Sequence, residues 1–259
     1  MNLAQRFIAG YSGELNGVPE GRLNPTMTHS QRTFDLACLR LLHLADSALP
    51  IGALAHSFGL ESLADAGLLA PATVPDLLRG YIEEAGVMES VFCRAALRLA
   101  EEFSAERWIE INQRLDARKP GRESRAGSAA LGNNLLSLAL AVGESRVLEE
   151  ALLAAREAKS PVHHSPAFGL VAGTLGIDED RSALAYLHQS LAGLVSACQR
   201  LLPIGQPEAA RTLWNLKPAI IAAAERSRTQ GIDEVCCFTP LLDWGAMEHP
   251  ALATRLFIS

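Results

Sequence analysis

Between Asp178 and Leu202 the apolar residues recur at three- and four-residue steps, at Leu184, Leu187, Leu191, Leu194, Cys198 and Leu201, with Gln189, Ser196 and Gln199 opposite. That spacing is the period of an α-helix with one buried face. Asp178 stands where a cap belongs, since its carboxylate can accept from a free first-turn amide for about 1 kcal/mol. Glu179 and Asp180 suit the positive end of the same helix. The pattern stops near Leu202-Pro203-Ile204-Gly205, and a second long helix opens at Pro207-Glu208, where proline lacks only an amide that would go unused. Ala209, Leu213, Leu216, Ile220 and Ala223 share its apolar face, and Pro218 is expected to bend it.

Upstream, Thr73-Val74-Pro75-Asp76 and Ser104-Ala105-Glu106 read as helix starts, and Ala129 to Val142 as a strongly apolar helix. Helical spacing begins at Thr33 and supports roughly nine or ten helices, while no stretch alternates long enough to argue a sheet. The expected fold is therefore all-α. The charged turn Arg118-Lys119-Pro120-Gly121-Arg122 is the one candidate boundary, but the helices on either side are too few to stand alone. The expectation is one compact helical domain over residues 32–259, preceded by a loosely ordered extension, residues 1–31, rich in Gly, Asn, Pro and Ser.

The longest nearly apolar run, Pro166 to Ile177, is well short of the ~20 residues that a membrane-spanning helix needs. Within it Gly169, Gly173 and Gly176 leave one helical edge almost bare. Such an edge serves close helix packing, or alternatively a backbone groove for a ligand.

Composition narrows the classes. Leucine and alanine dominate and aromatics are only 5%, which favours packed helices. A net charge of −6 and the lack of any basic-aromatic strip argue against a nucleic-acid partner. Five cysteines without a C-x-x-C spacing fit neither a disulfide framework nor a zinc ribbon. Reduced thiols, and no apolar core of signal length in Met1 to Gln31, lead to an expected cytoplasmic location with no membrane partner.

Candidate chemistry is sparse. The only lysines, Lys119, Lys159 and Lys217, have no P-loop context, so a nucleotide site of that form is excluded. No His-Glu-x-x-His occurs, and no histidine has a glutamate three positions before it. His163-His164 and Cys236-Cys237 carry metal-donor atoms, but adjacent residues seldom converge on one ion. Solvated imidazoles in a loop and thiols buried as small hydrophobes are the simpler readings. Glu83-Glu84 and Glu101-Glu102 point about 100° apart on a helix, which suits a solvated face better than acid-base work. Ala55-His56-Ser57-Phe58-Gly59 approximates a nucleophile elbow, yet Pro50 and Gly52 weaken the strand that such an elbow requires. No catalytic residue, cofactor or resident metal is therefore assigned, and a binding or assembly module is the expected class.

Four segments in order then resemble one family. They are Leu42 to Gly52 with His56-Ser57-Phe58-Gly59-Leu60-Glu61; Glu123-Ser124-Arg125 leading to Gly132; Ala167-Phe168-Gly169 and Gly176-Ile177 joined to Leu202-Pro203-Ile204-Gly205-Gln206; and His249 with the ending Arg255-Leu256-Phe257-Ile258-Ser259. Together they are similar to the urease accessory protein F family, helical assembly factors for nickel insertion. The resemblance implies a non-enzymatic chaperone that forms a homodimer, binds urease accessory protein D (also called H), recruits the nickel-carrying GTPase accessory protein G, and acts on apo-urease through that complex. It implies partner contacts at His56, Ser57, Phe58, Glu61, Arg125, Arg255, Leu256, Phe257 and Ser259. The tail is expected to order on binding, or else to fold back on its own core. Two other classes remain at this point: a serine hydrolase with Ser57 as nucleophile, and a direct nickel-binding protein using His163, His164 or the cysteine pair.

Overall fold

The structure is a computed structural model that describes the backbone of residues 29–259 and side chains from Asp35 onward. Residues 37–259 form one compact unit, and the expected extension lies outside the described residues as far as residue 28. The described residues contain α-helices and no strand, in the order α1 (His29–Leu44), α2 (Leu60–Asp65), α3 (Val74–Tyr81), α4 (Val87–Arg98), α5 (Ala105–Asp116) and α6 (Arg122–Val142). There follow α7 (Arg146–Glu157), α8 (His164–Thr174), α9 (Glu179–Leu201), α10 (Gln206–Asn215), α11 (Lys217–Arg226) and α12 (Pro240–Glu248). A π-helical stretch, Ile82–Gly86, joins α3 to α4 without a break. The all-α class agrees with the periodicity, and none of the described helices is long and apolar enough to cross a membrane.

Local chemistry starts the helices where the sequence places them. Asp178 accepts from the Arg181 amide and Ser104 from the Arg107 amide. Thr73 behaves differently, its hydroxyl bonding back to the amide and carbonyl of Ala70 in the turn before α3. Pro218 does more than bend its helix. The chain divides at Leu216 into α10 and α11, with Pro218 in the first turn of α11, where its missing N–H is not required. Ala209, Leu216, Ile220 and Ala223 nonetheless reach the same core, as their spacing implies.

α8 is apolar on every side and buried from His164 to Ala172, so it runs through the core instead of over it. It packs mainly on α4 and α6. The packing depends on glycine: a methyl at Gly169 would overlap the Cys93 carbonyl, and one at Gly173 would lie 2.6 Å from Ala100 Cβ. At Gly132 of α6 an added methyl would strike the backbone of Val162 and His163. The edge thus serves helix packing, not a ligand groove, at Gly169 and Gly173. Gly176 differs; its φ of +72° closes the helix in open space.

A second core gathers Leu60, Leu63, Leu78, Ile82, Leu187, Leu191, Ile220 and Phe257. Gln189 departs from the expected polar face of α9, because the helix is covered there and the side chain is buried. Arg94, 2% exposed, ties α4 to both flanks by donating to Glu179 at 3.1 Å, Asp180 at 2.9 Å, Ser227 Oγ and the Ala224 carbonyl. A buried guanidinium is tolerated because each arm is paired.

Gly169→Ala should lower stability by about 3 kcal/mol or prevent folding, because backbone meets backbone there. Gly80→Ala in α3, with open space at its Cβ, should be neutral or gain about 0.5–1 kcal/mol. Urea midpoints of the two variants check this; similar midpoints would contradict the packing role of Gly169.

Candidate functional site

The loop from Leu49 to Glu61 is shaped by its glycines. Gly52 (φ +92°) opens a single 3-10 turn over Ala53–Ala55, His56 is extended, and Phe58 (φ +50°) and Gly59 (φ +97°) reverse the chain into α2. Gly59 faces Gly245 of α12 so closely that a methyl on Gly59 would lie 2.6 Å from the Leu242 carbonyl. The absent side chains therefore let α2 and α12 touch by backbone.

Residues 249–259 return to this loop. Ile258 donates to the Ala55 carbonyl at 2.8 Å, and the Ser259 backbone oxygen accepts from the amides of Ser57 and Phe58. Ser259 Oγ lies 2.7 Å from His56 Nδ1, in a space kept open by Gly127 of α6. Glu61 Oε1 accepts from the Leu256 amide, and Oε2 accepts from the Phe257 amide at 3.1 Å and lies 2.9 Å from His249 Nε2. His249 is fully buried with Glu123 Oε2 2.6 Å from its Nδ1, and Glu123 Oε1 accepts from Arg255 at 3.1 Å. Burial alone would raise the Glu123 carboxyl, but His249 and Arg255 outweigh it and hold it below the usual range.

A family model described as UreF matches residues 69–217. The Urease accessory protein UreF of Corynebacterium glutamicum (strain R) is 31% identical over 221 residues, which cover 85% of this chain and 96% of that relative. That of Bradyrhizobium sp. (strain ORS 278) is 31% identical over 231 residues, covering 87% and 93%. That of Nostoc sp. (strain PCC 7120) is 30% identical over 223 residues, covering 85% and 95%. The chain belongs to the UreF family. UreF proteins are accessory proteins and not catalysts, as expected from a sequence in which no catalytic constellation was found.

In this UreF-family chain the residues expected to meet partners fall into two groups. His56, Ser57, Glu61, Phe257 and Ser259 are buried, and they come together as the seat of the tail. Arg255 and Leu256 are exposed, Phe58 is half-buried and stacked on His56 at 5.5 Å, and Arg125 is half-exposed. The tail is thus folded back on its own core: Phe257 is no free anchor but lies in the core beneath the Arg200 guanidinium, 4.1 Å from its ring. Arg125 donates to the Lys119 carbonyl at 3.1 Å and lies 3.8 Å from Asp116, so it also serves its own chain. Sequence reasoning missed Arg200 and the roles of Glu123 and Gly127. Arg200 carries no local signal, whereas Glu123 and His249 were both within the family segments and only their meeting was hidden.

The alternative chemistries find little support. Ser57 Oγ is fully buried and accepts from the Glu61 amide at 3.4 Å, and His56 is directed to Ser259 instead. A buried hydroxyl that closes a helix turn is no exposed nucleophile. His163 and His164 are not solvated, contrary to expectation: they are buried where α8 begins, His163 bonded to Ser128 at 3.1 Å and Asp116 at 3.2 Å. Cys236 is exposed and Cys237 half-buried, so only the latter approaches the expected apolar burial. Among the described residues no three His, Cys, Asp or Glu side chains converge to hold a metal.

Beside them Glu89 accepts from Lys119, from Ser165 and from Tyr186 at 3.3 Å. Burial works to raise its carboxyl, but the Lys119 charge and these bonds hold it low. Burial pushes His163 and His164 down to about 4, with the Lys119 charge adding to it and Glu89 opposing.

Glu61→Gln should speed hydrogen exchange at the Leu256 and Phe257 amides by about tenfold or more, since a bond to a charged acceptor is worth about 1.5–3 kcal/mol. Unchanged exchange would mean that Glu61 does not hold the tail. The two lowered histidines bind protons more readily when unfolded, so their contribution to stability is complete above the ordinary value of 6.5 and is lost as pH falls towards 4. Urea midpoints should therefore fall between about pH 7.5 and about pH 5.5, above the carboxylate range, and fall less in His163→Asn. Equal slopes in both proteins would remove His163 from the account.

Proposed function

We propose that this chain is a non-catalytic assembly factor in urease maturation that promotes nickel insertion into apo-urease. In this reading it works as a cytoplasmic homodimer with residues 32–259 as its working part, binds accessory protein D/H, and recruits the GTPase accessory protein G. Family membership supports the maturation role. The observation that carries the contact surface is the seated tail: its backbone is held by Glu61, Ala55, Ser57 and Phe58, while Leu256 and Ile258 face outward at 54% and 67% exposure beside Arg255. Exposed apolar side chains on a backbone already ordered bind at a low entropic cost, and an arginine beside them adds a bidentate donor for a carboxylate. His56, Ser57, Glu61, Phe257 and Ser259 contribute from beneath, by fixing the shape of that surface.

The chain would also influence when the GTPase releases its nickel, by holding one partner conformation more tightly than another. Arg125 is the candidate for an arginine supplied in trans.

Leu256→Asp with Ile258→Asp should reduce capture of accessory protein D/H by at least about tenfold, with little change in thermal midpoint, because both side chains are already in water. Undiminished capture would dismiss the tail as the contact. GTP turnover by the assembled partner complex, compared between the wild type and Arg125→Ala, tests the second part; equal turnover would remove Arg125 from the mechanism.

A further inference from the structure

Five buried side-chain polar atoms lack a hydrogen-bond partner among the described residues, and three of them, Ser124 Oγ, His164 Nε2 and Gln189 Oε1, belong to residues that line one cavity of about 160 Å³. The cavity lies among α4, α6, the start of α8, α9, α12 and the loop before α2. Buried polar atoms are nearly always paired, so unpaired ones concentrated around one space point to an occupant that hydrogen-bonds. Their positions are built, not incidental. His164 is 9% exposed and its ring is held at 6.4 Å from Phe168 and 5.4 Å from Tyr186, while Gln189 is 6% exposed.

The charged groups in the walls already have hydrogen-bond partners. Glu89 is engaged by Lys119, Ser165 and Tyr186, and Arg118 donates to the carbonyls of Arg114 and Ile232. Asp243, the other carboxylate in the walls, accepts from Thr239 Oγ1 at 3.3 Å, and burial keeps His164 neutral down to about pH 4, so no carboxylate there is without a hydrogen-bond donor and no ammonium is spare. The pairing needs are specific. Gln189 Oε1 requires an N–H or O–H, His164 offers one ring nitrogen, and Ser124 can donate to a carbonyl. As for size, an engineered apolar cavity of about 150 Å³ admits benzene, so a guest of about six heavy atoms is the upper bound.

We propose that this cavity is a binding site for a small neutral molecule carrying both a hydrogen-bond donor and an acceptor, of primary-amide size and chemistry. The site borders the seat of the tail through His56 and Phe58 but does not rest on the role in urease maturation. Acetamide is the probe, titrated into the full chain while the ¹⁵N resonance of His164 Nε2 and the thermal midpoint are followed. A saturable shift of His164 is expected, with no saturation by acetate or acetamidinium, which have the same number of heavy atoms but carry charge. Gln189→Leu, which keeps the bulk and removes the acceptor, should weaken the response at least about tenfold. Equal binding by the charged probes, or an equal response from Gln189→Leu and the wild type, would overturn the proposal. So would a wild-type His164 resonance that does not move, or crystals grown with acetamide that hold only ordered water in the cavity. Should Gln189→Leu fail to fold, the comparison of the three probes on the wild type decides alone.

Discussion

The approach of α8 to α4 is the contact on which the rest of the structure depends. An apolar helix with no polar face has nowhere to go but the interior, and it gets there only if its neighbours come within backbone distance. Gly169 and Gly173 permit that on the α4 side, and Gly132 of α6 permits it where α8 begins. Once α8 is seated, α4 presents Arg94 to the acidic start of α9 and to the end of α11, so that the second core assembles around the first. The start of α8 in turn fixes His163 and His164 beside Ser128, and thereby one wall of the cavity.

Two buried carboxylates do related work in different places. Glu61 substitutes for a strand or helix partner by accepting the backbone amides of the tail, with His249 and Glu123 continuing the hydrogen-bonded chain. Glu89 does the same for side chains, joining Lys119, Ser165 and Tyr186. The difference lies around them. Near Glu61 the groups that meet the tail are paired and hold an irregular segment without secondary structure. Around Glu89 three polar atoms on the cavity walls are left over, and a cavity lined in this way is a place for a guest.

Much of the fold was legible because helix starts and faces are local matters. Asp178 and Ser104 cap where they stand, and the period through Leu187, Leu191 and Leu194 identifies the buried side of α9. Pro218 was recognised as a disturbance but not as a division, since whether a helix bends or breaks at a proline depends on what receives the freed carbonyls. The candidate site was legible only in part. His56, Ser57, Glu61, His249 and Arg255 each carried a signal, yet whether they face a partner or one another depends on how a tail some two hundred positions away packs, which periodicity does not encode. Arg200 over Phe257, and the burial of Gln189 and the two histidines, lay beyond local reading for the same reason.

By itself, then, the sequence determined the helical class, the caps, the apolar faces and the glycine edge of α8, because each follows from neighbours within a turn or two. Through the order of its segments it also pointed to the family. Only the tertiary structure decided that the glycine edge is covered by α4, that the tail is held by Glu61 with Leu256 and Ile258 outward, and that unpaired groups from α6, α8 and α9 share a cavity. Those outcomes depend on contacts between residues far apart in the chain, where the sense of a residue, buried or exposed, paired or unpaired, is set by what packs against it.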